Sequence, residues 1–445
     1  MVFLLAVLAI TVGSFVAFLL ASGSWMFYQR MLDPDQLSPA MAGFGEVGQV
    51  ARTWVSLAVF ACVFLVPALF SLTSQAAILG ASGRERRLAT LRLIGLSSRE
   101  ISWMTALETG LQAAVGIVLG LLLSVLSLPL FENLKFQDTP IRTTELVLPW
   151  WGYVGVAVFL LLLAIVSSLL GMQRVRVSPL GVTRREVPKA LRWWRPVAFV
   201  LIVAAGIYFT SQTKLSVSNA AVVVRVGLVI FIMISALNLV MPWLLQLVAS
   251  LMSHLPGTAN YVACRRIATD GRAAWKRSGT ITFFGLIAGF LVVAPFGEDG
   301  LASMLEAQKE AGIIFGDLAR GGLLTLLFGF LIFSVAVLLN QASEVFEKAD
   351  LSRSLARLGV QSSFHLRVAL VEYMGPVILV STLGLVFGAA LGLATLSQAG
   401  DIDVAGRVGG SFVLLSAGWL VSLLAIVCVA PLRNSVIGDA VRKND

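Results

Sequence analysis

Residues 84–130, RERRLATLRLIGLSSREISWMTALETGLQAAVGIVLGLLLSVLSLPL, change character once and abruptly. The opening third is dense in arginine, whereas residues 105–130 form an apolar run interrupted by a single carboxylate, Glu108. A hydrocarbon core about 30 Å thick is crossed by about 20 apolar residues in helical form, so residues 105–130 predict a transmembrane helix. The arginine-rich part then lies at a membrane surface. Leu88, Leu91 and either Leu93 or Ile94 share one stripe with Arg84, Glu85, Arg86, Arg87 and Arg92 turned away, which predicts a short amphipathic helix. Gly95 suits its left-handed C-terminal cap, and Ser97 and Ser98 suit the start of the helix that follows.

Working outward, the same apolar signature recurs along the chain. The 445 residues are 58% hydrophobic and 13% charged, with mean hydropathy +0.90, where soluble proteins carry about a quarter charged residues. Spans are predicted near 3–28, 53–79, 105–130, 148–171, 196–211, 222–250, 279–297, 321–343, 373–398 and 410–431. The first is read as a retained anchor, since its apolar run exceeds a signal sequence's core. Ten spans place both termini on one side. With that side cytoplasmic, the inner loops hold 24 of the 33 Lys and Arg residues, as basic loops resist translocation. The expectation is a multi-pass cell-membrane protein with both termini cytoplasmic. Its net charge of +9 is topological, and nucleic acid is not a partner.

An internal repeat organises the spans. Leu91, Gly95, Ser98, Glu108 and Gly120 recur 264 residues later as Leu355, Gly359, Ser362, Glu372 and Gly384. The fold class expected is therefore all-α, with about ten transmembrane helices as two parallel four-helix repeats joined by two linking helices. The corresponding divisions are residues 1–178, 179–259 and 260–445. Outer loops are short, at most 29–52 and 299–320.

The chain lacks the groups that catalysis needs. It has no GxxxxGK[ST] to cradle a nucleotide. Its two histidines, His254 and His365, are far apart, and Cys62, Cys264 and Cys428 have no metal-ligand spacing. No catalytic residue, metal site or cofactor of its own is expected. Gln112, Ser235 and Asn238 are expected to bond across helices. Glu108 and Glu372 begin the third and ninth spans. An ionisable group in a span is a functional candidate, but each lies near a helix N-terminus that favours a carboxylate. The structural role is the reading preferred, with no partner apparent for a proton relay.

The stretch 84–101, with Val175 to Leu180 (VRVSPL), resembles the signature loop and fourth-helix exit of the FtsX-like permeases, a family that includes MacB and bacitracin-type ABC transporter permeases. Residues 261–280 resemble the amphipathic stretch before the first family helix. The resemblance implies a type VII ABC transporter permease in which residues 84–99 form a coupling helix seated on a separate ATP-binding cassette subunit, in two copies. ATP and magnesium then belong to that partner. Ser98 and Arg99 close the first contact, and Arg353, Leu355, Arg357, Gly359 and Ser362 form its less charged counterpart. The family's large extracytoplasmic domain is absent.

Three functions follow as alternatives. The first is ATP-driven export or extraction of an amphiphilic compound such as a lipid, antibiotic or antimicrobial peptide. The second is a signalling permease that controls a cell-wall hydrolase or sensor kinase without transport. The third is an ATP-independent transporter, to which only interruptions near Pro295 and Pro376 point. A further reading of the basic loop 84–99 is simple contact with anionic lipid headgroups.

Overall fold

A computed structural model describes residues 2–33, 97–175, 193–211, 220–293, 309–396 and 404–438, with scattered positions between 54 and 76. In chain order the elements are α1 (Val2–Leu32), α2 (Ser98–Ser127), a 3-10 turn (Leu128–Phe131), β1 (Lys135–Phe136), β2 (Thr139–Pro140), α3 (Thr143–Leu146) and α4 (Trp150–Val175). There follow α5 (Trp194–Ser211), α6 (Ala220–Met252), α7 (Thr258–Thr269), α8 (Gly271–Val293) and α9 (Lys309–Glu347). The last are α10 (Ala349–Arg357), α11 (Ser362–Leu396), α12 (Val404–Cys428) and α13 (Ala430–Gly438). Among the described residues, seven helices are long and apolar enough to cross a membrane, and Trp194–Phe209 is a shorter apolar helix. The chain is a polytopic helical membrane protein. The described positions of the expected span 53–79 are helical.

Helices outrun the apolar runs that announce them, because backbone hydrogen bonding does not stop where lipid does. Helix α2 begins at Ser98 rather than 105. There the Ser97 hydroxyl accepts the Glu100 amide and the Glu100 carboxylate accepts the Ser97 amide, a reciprocal cap that satisfies the first turn in water. Helix α9 begins at Lys309, so residues 309–320, taken as outer loop from the sequence, are helical. Between α2 and α4 the chain is also structured, which the sequence reading missed. β1 and β2 pair antiparallel, Lys135 with Pro140 and Phe136 with Thr139. Their two-residue turn puts Gln137 and Asp138 at φ 57° and 55°, the left-handed pair that matches hairpin twist.

The chain forms two compact units. One comprises residues 1–183, 308–318 and 327–350; the other comprises 184–307, 319–326 and 351–445. In the first, Ile10, Ala17 and Phe18 of α1 interlock with Ala113 and Ile117 of α2 and Leu160 and Ala164 of α4. On α2, Ile117 apart, the fully buried residues between Ala106 and Ser127 are small or polar: Ala106, Thr109, Gln112, Ala113 and Ser124 are buried, while Leu107, Leu111, Val118, Leu122 and Leu126 are exposed. In lipid, where outward leucines cost nothing, close backbone approach selects the small residues. Thr109 bonds Ser168 at 3.2 Å, and Ser167 donates to Thr73 at 2.8 Å.

In the second unit α8 packs along α11, α7 lies against α6 and α11, and the linking helices α5 and α6 pack here as well. The Trp275 indole donates to Asn238 at 2.9 Å, and the Trp419 indole to Ser381 at 2.9 Å. Asn238 thus makes the cross-helix bond expected of it.

Candidate functional site

The first coupling segment from Arg84 to Gly95, including Glu85, Leu88, Leu91 and Arg92, lies outside the described residues. Ser98 and Arg99 form the first turn of α2, directly behind the Ser97 cap. The second segment is fully described. Asp350 to Arg357 sits within α10, and the helix ends in a paired closure in which the Val360 amide donates to the Leu355 carbonyl at 3.1 Å and the Gly359 amide to that of Ala356 at 3.0 Å. Gly359 has φ +87°, a conformation that favours glycine. The cap expected at Gly95 lies outside the described residues.

Leu351 is 51% exposed and Leu358 is 79% exposed. Seven residues apart, they lie on one side of the helix, with Ser354 exposed and Leu355 half-buried between them. Arg357 is exposed and Arg353 half-buried. The result is a short capped helix with an apolar ridge bordered by arginines. Ser362 then opens α11, as Ser98 opens α2.

Glu108 and Glu372 occupy the same position in these two helices, ten residues past the start. Glu108 is half-buried and Glu372 is buried. The structure corrects the view that no partner is available to Glu372. Arg266 of α7 donates to its Oε2 at 2.9 Å, and Arg277 of α8 lies 3.5 Å from Oε1. The neighbouring Tyr373 hydroxyl donates to the Arg277 carbonyl at 3.3 Å. One carboxylate therefore ties three helices together at the end of α11 nearest α10. Arg266 and Arg277 entered the sequence reading only as topological charge; each directly follows another basic residue, Arg265 and Lys276, and no local pattern singles it out.

A second polar cluster lies within the first unit. Arg30, 1% exposed, donates from Nε to Glu145 Oε2 at 2.8 Å, from Nη1 to the Phe136 carbonyl at 2.8 Å and from Nη2 to that of Pro140 at 3.2 Å. Asp317 accepts the Gln137 amide at 2.7 Å and the Trp54 indole at 3.1 Å. The left-handed hairpin turn is thereby held from two sides. No sequence pattern links these residues, which are more than a hundred positions apart. Among the described residues no group of His, Cys, Asp or Glu could hold a metal ion.

Residues 58–180 match the model of the family described as FtsX-like permease C-terminal. This segment is an FtsX-like permease domain. It contains the coupling stretch 84–99, all of α2 and the hairpin, and α4. No curated protein matches the chain. The FtsX-like permease family points to the permease subunit of an ATP-binding cassette transporter, and such permeases work with ATP-binding cassette partners.

Proposed function

We propose that this FtsX-like permease converts the movement of two ATP-binding cassette subunits into export or extraction of an amphiphilic compound: a lipid, an antibiotic or an antimicrobial peptide. The observation that carries this reading is the exposed ridge of α10. An apolar pair at Leu351 and Leu358, bordered by Arg353 and Arg357, suits a groove on a soluble partner better than it suits water. The Gly359 closure gives α10 a fixed end, and α9 and α11 adjoin it directly in sequence, so a displacement of α10 is passed to both. The stretch 84–99 plays the same part before α2. ATP and magnesium belong to the partner subunits, and this chain binds no cofactor.

The test is ATPase activity of the chain purified with its ATP-binding subunit in lipid nanodiscs. Leu351→Asp with Leu358→Asp, and separately Leu91→Asp, place charge on the two ridges. Coupled ATPase activity is expected to fall more than tenfold in each, at roughly 1.4 kcal/mol per tenfold. Unchanged association and activity in both would remove the docking role of these segments.

A further inference from the structure

Of the five basic residues between Arg265 and Arg277, two turn inward to Glu372 and three turn outward. Arg265, Arg272 and Lys276 are exposed, and none of them is paired with a carboxylate among the described residues. The single acid between Thr258 and Arg277 is Asp270, whose Oδ1 accepts the Ala273 amide at 2.9 Å. We infer that this outward face of α7 and the first turns of α8 binds the headgroups of anionic phospholipids.

The setting supports a lipid surface rather than water or a protein groove. Tyr261, 52% exposed, stands beside Arg265, whose guanidinium carbon lies 5.9 Å from the ring centroid. Leu251, Met252 and Leu255 at the adjoining end of α6 are exposed. From Ile281 onward α8 is apolar, so Arg272 and Lys276 stand where the chain enters the hydrocarbon. Aromatic rings and long basic side chains at that depth keep stems in apolar surroundings and charges at the headgroups. Positive charge there meets the negative surface of an anionic leaflet.

The face is also fixed before any lipid arrives. Asn260 donates to the Met252 carbonyl at 2.9 Å, which sets the angle between α6 and α7. Gly271 lets α8 approach the Pro242 carbonyl of α6 so closely that a Cβ would stand 2.5 Å from that oxygen. Arg266 pins the inner side of α7 to Glu372.

The experiment is native mass spectrometry of the full-length chain, without ATP-binding subunits, titrated with phosphatidylglycerol or phosphatidylcholine. Each basic charge at such a surface contributes about fivefold in affinity. The triple variant Arg265→Gln, Arg272→Gln, Lys276→Gln should therefore bind phosphatidylglycerol more weakly by roughly tenfold or more, with phosphatidylcholine binding unaltered. Arg265→Lys with Arg272→Lys should retain binding. Arg142→Gln, which removes an exposed basic residue outside α7 and α8, should leave it within about twofold. Unchanged phosphatidylglycerol binding in the triple variant overturns the assignment, as does an equal loss in Arg142→Gln. Because no ATP-binding subunit is present, the outcome is independent of the docking role of α10. If the triple variant keeps its lipid but loses the subunit in a pull-down, the face is a protein contact and the lipid assignment falls.

Discussion

Gly384 of α11 lies directly over the carbonyl oxygen of Thr282 in α8, leaving no space for a methyl group between the two backbones. The same relationship occurs in the other unit, where a Cβ on Gly120 of α2 would stand 2.7 Å from the Thr11 carbonyl of α1 and 2.8 Å from the Phe15 amide. Gly384 likewise abuts the Leu286 amide. The glycines are 264 positions apart, and both their contacts, Thr11 to Thr282 and Phe15 to Leu286, are 271 apart. Two helix pairs in separate units thus cross with the same sequence offset between glycine and partner backbone.

Adding a methyl group at Gly384 forces α8 and α11 apart, and overpacking of this kind costs about 1–3 kcal/mol. Gly384→Ala is expected to lower the thermal midpoint clearly, and Gly120→Ala to do the same. Gly375→Ala is the control, since a Cβ there meets nothing within 4 Å; it should be neutral or mildly stabilising. Equal midpoints for Gly384→Ala and Gly375→Ala would contradict the packing described.

The charge cluster at Glu372 makes a separate prediction. Removing the carboxylate leaves Arg266 and Arg277 facing one another without it. Because Arg266 is 33% exposed at its side chain, solvent screens part of the loss, and a coupling of about 1 kcal/mol between Glu372 and Arg266 is expected. A double-mutant cycle of Glu372→Gln and Arg266→Gln in thermal or denaturant unfolding measures it. Simple additivity would show that the contact contributes nothing.

What the sequence conveys and what it withholds divide along physical lines. Spans are legible because lipid demands long apolar runs. Caps at Ser97 and Gly359 are legible because they depend on a few neighbouring residues. Glu372 stood out as a carboxylate in an apolar helix, but its partners lie 106 and 95 positions away, on helices whose arginines serve equally well as topological signals. The hairpin escaped notice because its turn is Gln137-Asp138, without the glycine that usually marks left-handed pairs. The packing face of α2 was obscured because greater hydrophobicity does not mark it, the leucines facing outward instead. Residue size does, as Ala106, Ala113, Gly116 and Gly120 on the protein side demonstrate.

Arg30 should tolerate no replacement. Its guanidinium serves one carboxylate and two carbonyls of the hairpin region, a fork that an ammonium cannot reproduce. Arg30→Lys is expected to loosen the segment around residues 135–145, seen as faster limited proteolysis there. Glu145→Gln strands a buried cation and should cost about 3 kcal/mol or more. Unaltered cleavage in both variants would count against the clasp.

Cys264 offers a reporter for these measurements. It is 2% exposed, and burial raises its thiol pKa above the ordinary value of 9.0, so the reactive thiolate is scarce at neutral pH. In a Cys62→Ser, Cys428→Ser background, a maleimide dye should label the chain only as it unfolds. Rapid labelling of the native protein would mean that α7 opens readily from α6 and α11.

Acidification should act on α2 through the Ser97–Glu100 cap. The Ser97 hydroxyl, then its backbone amide, hold the Glu100 pKa below the ordinary 4.5. A carboxylate with a depressed folded-state pKa stabilises the fold fully above its unfolded value, and that contribution fades as pH falls through the folded value. Wild type should therefore exceed Glu100→Gln in thermal midpoint above about pH 5, with the difference narrowing below pH 4.5. In a Ser97→Ala background, where the larger cause of the shift is gone, the same pair should differ less and lose most of this pH dependence. A wild-type advantage that stays constant down to the acid limit would mean that the cap does not depend on the charge of Glu100.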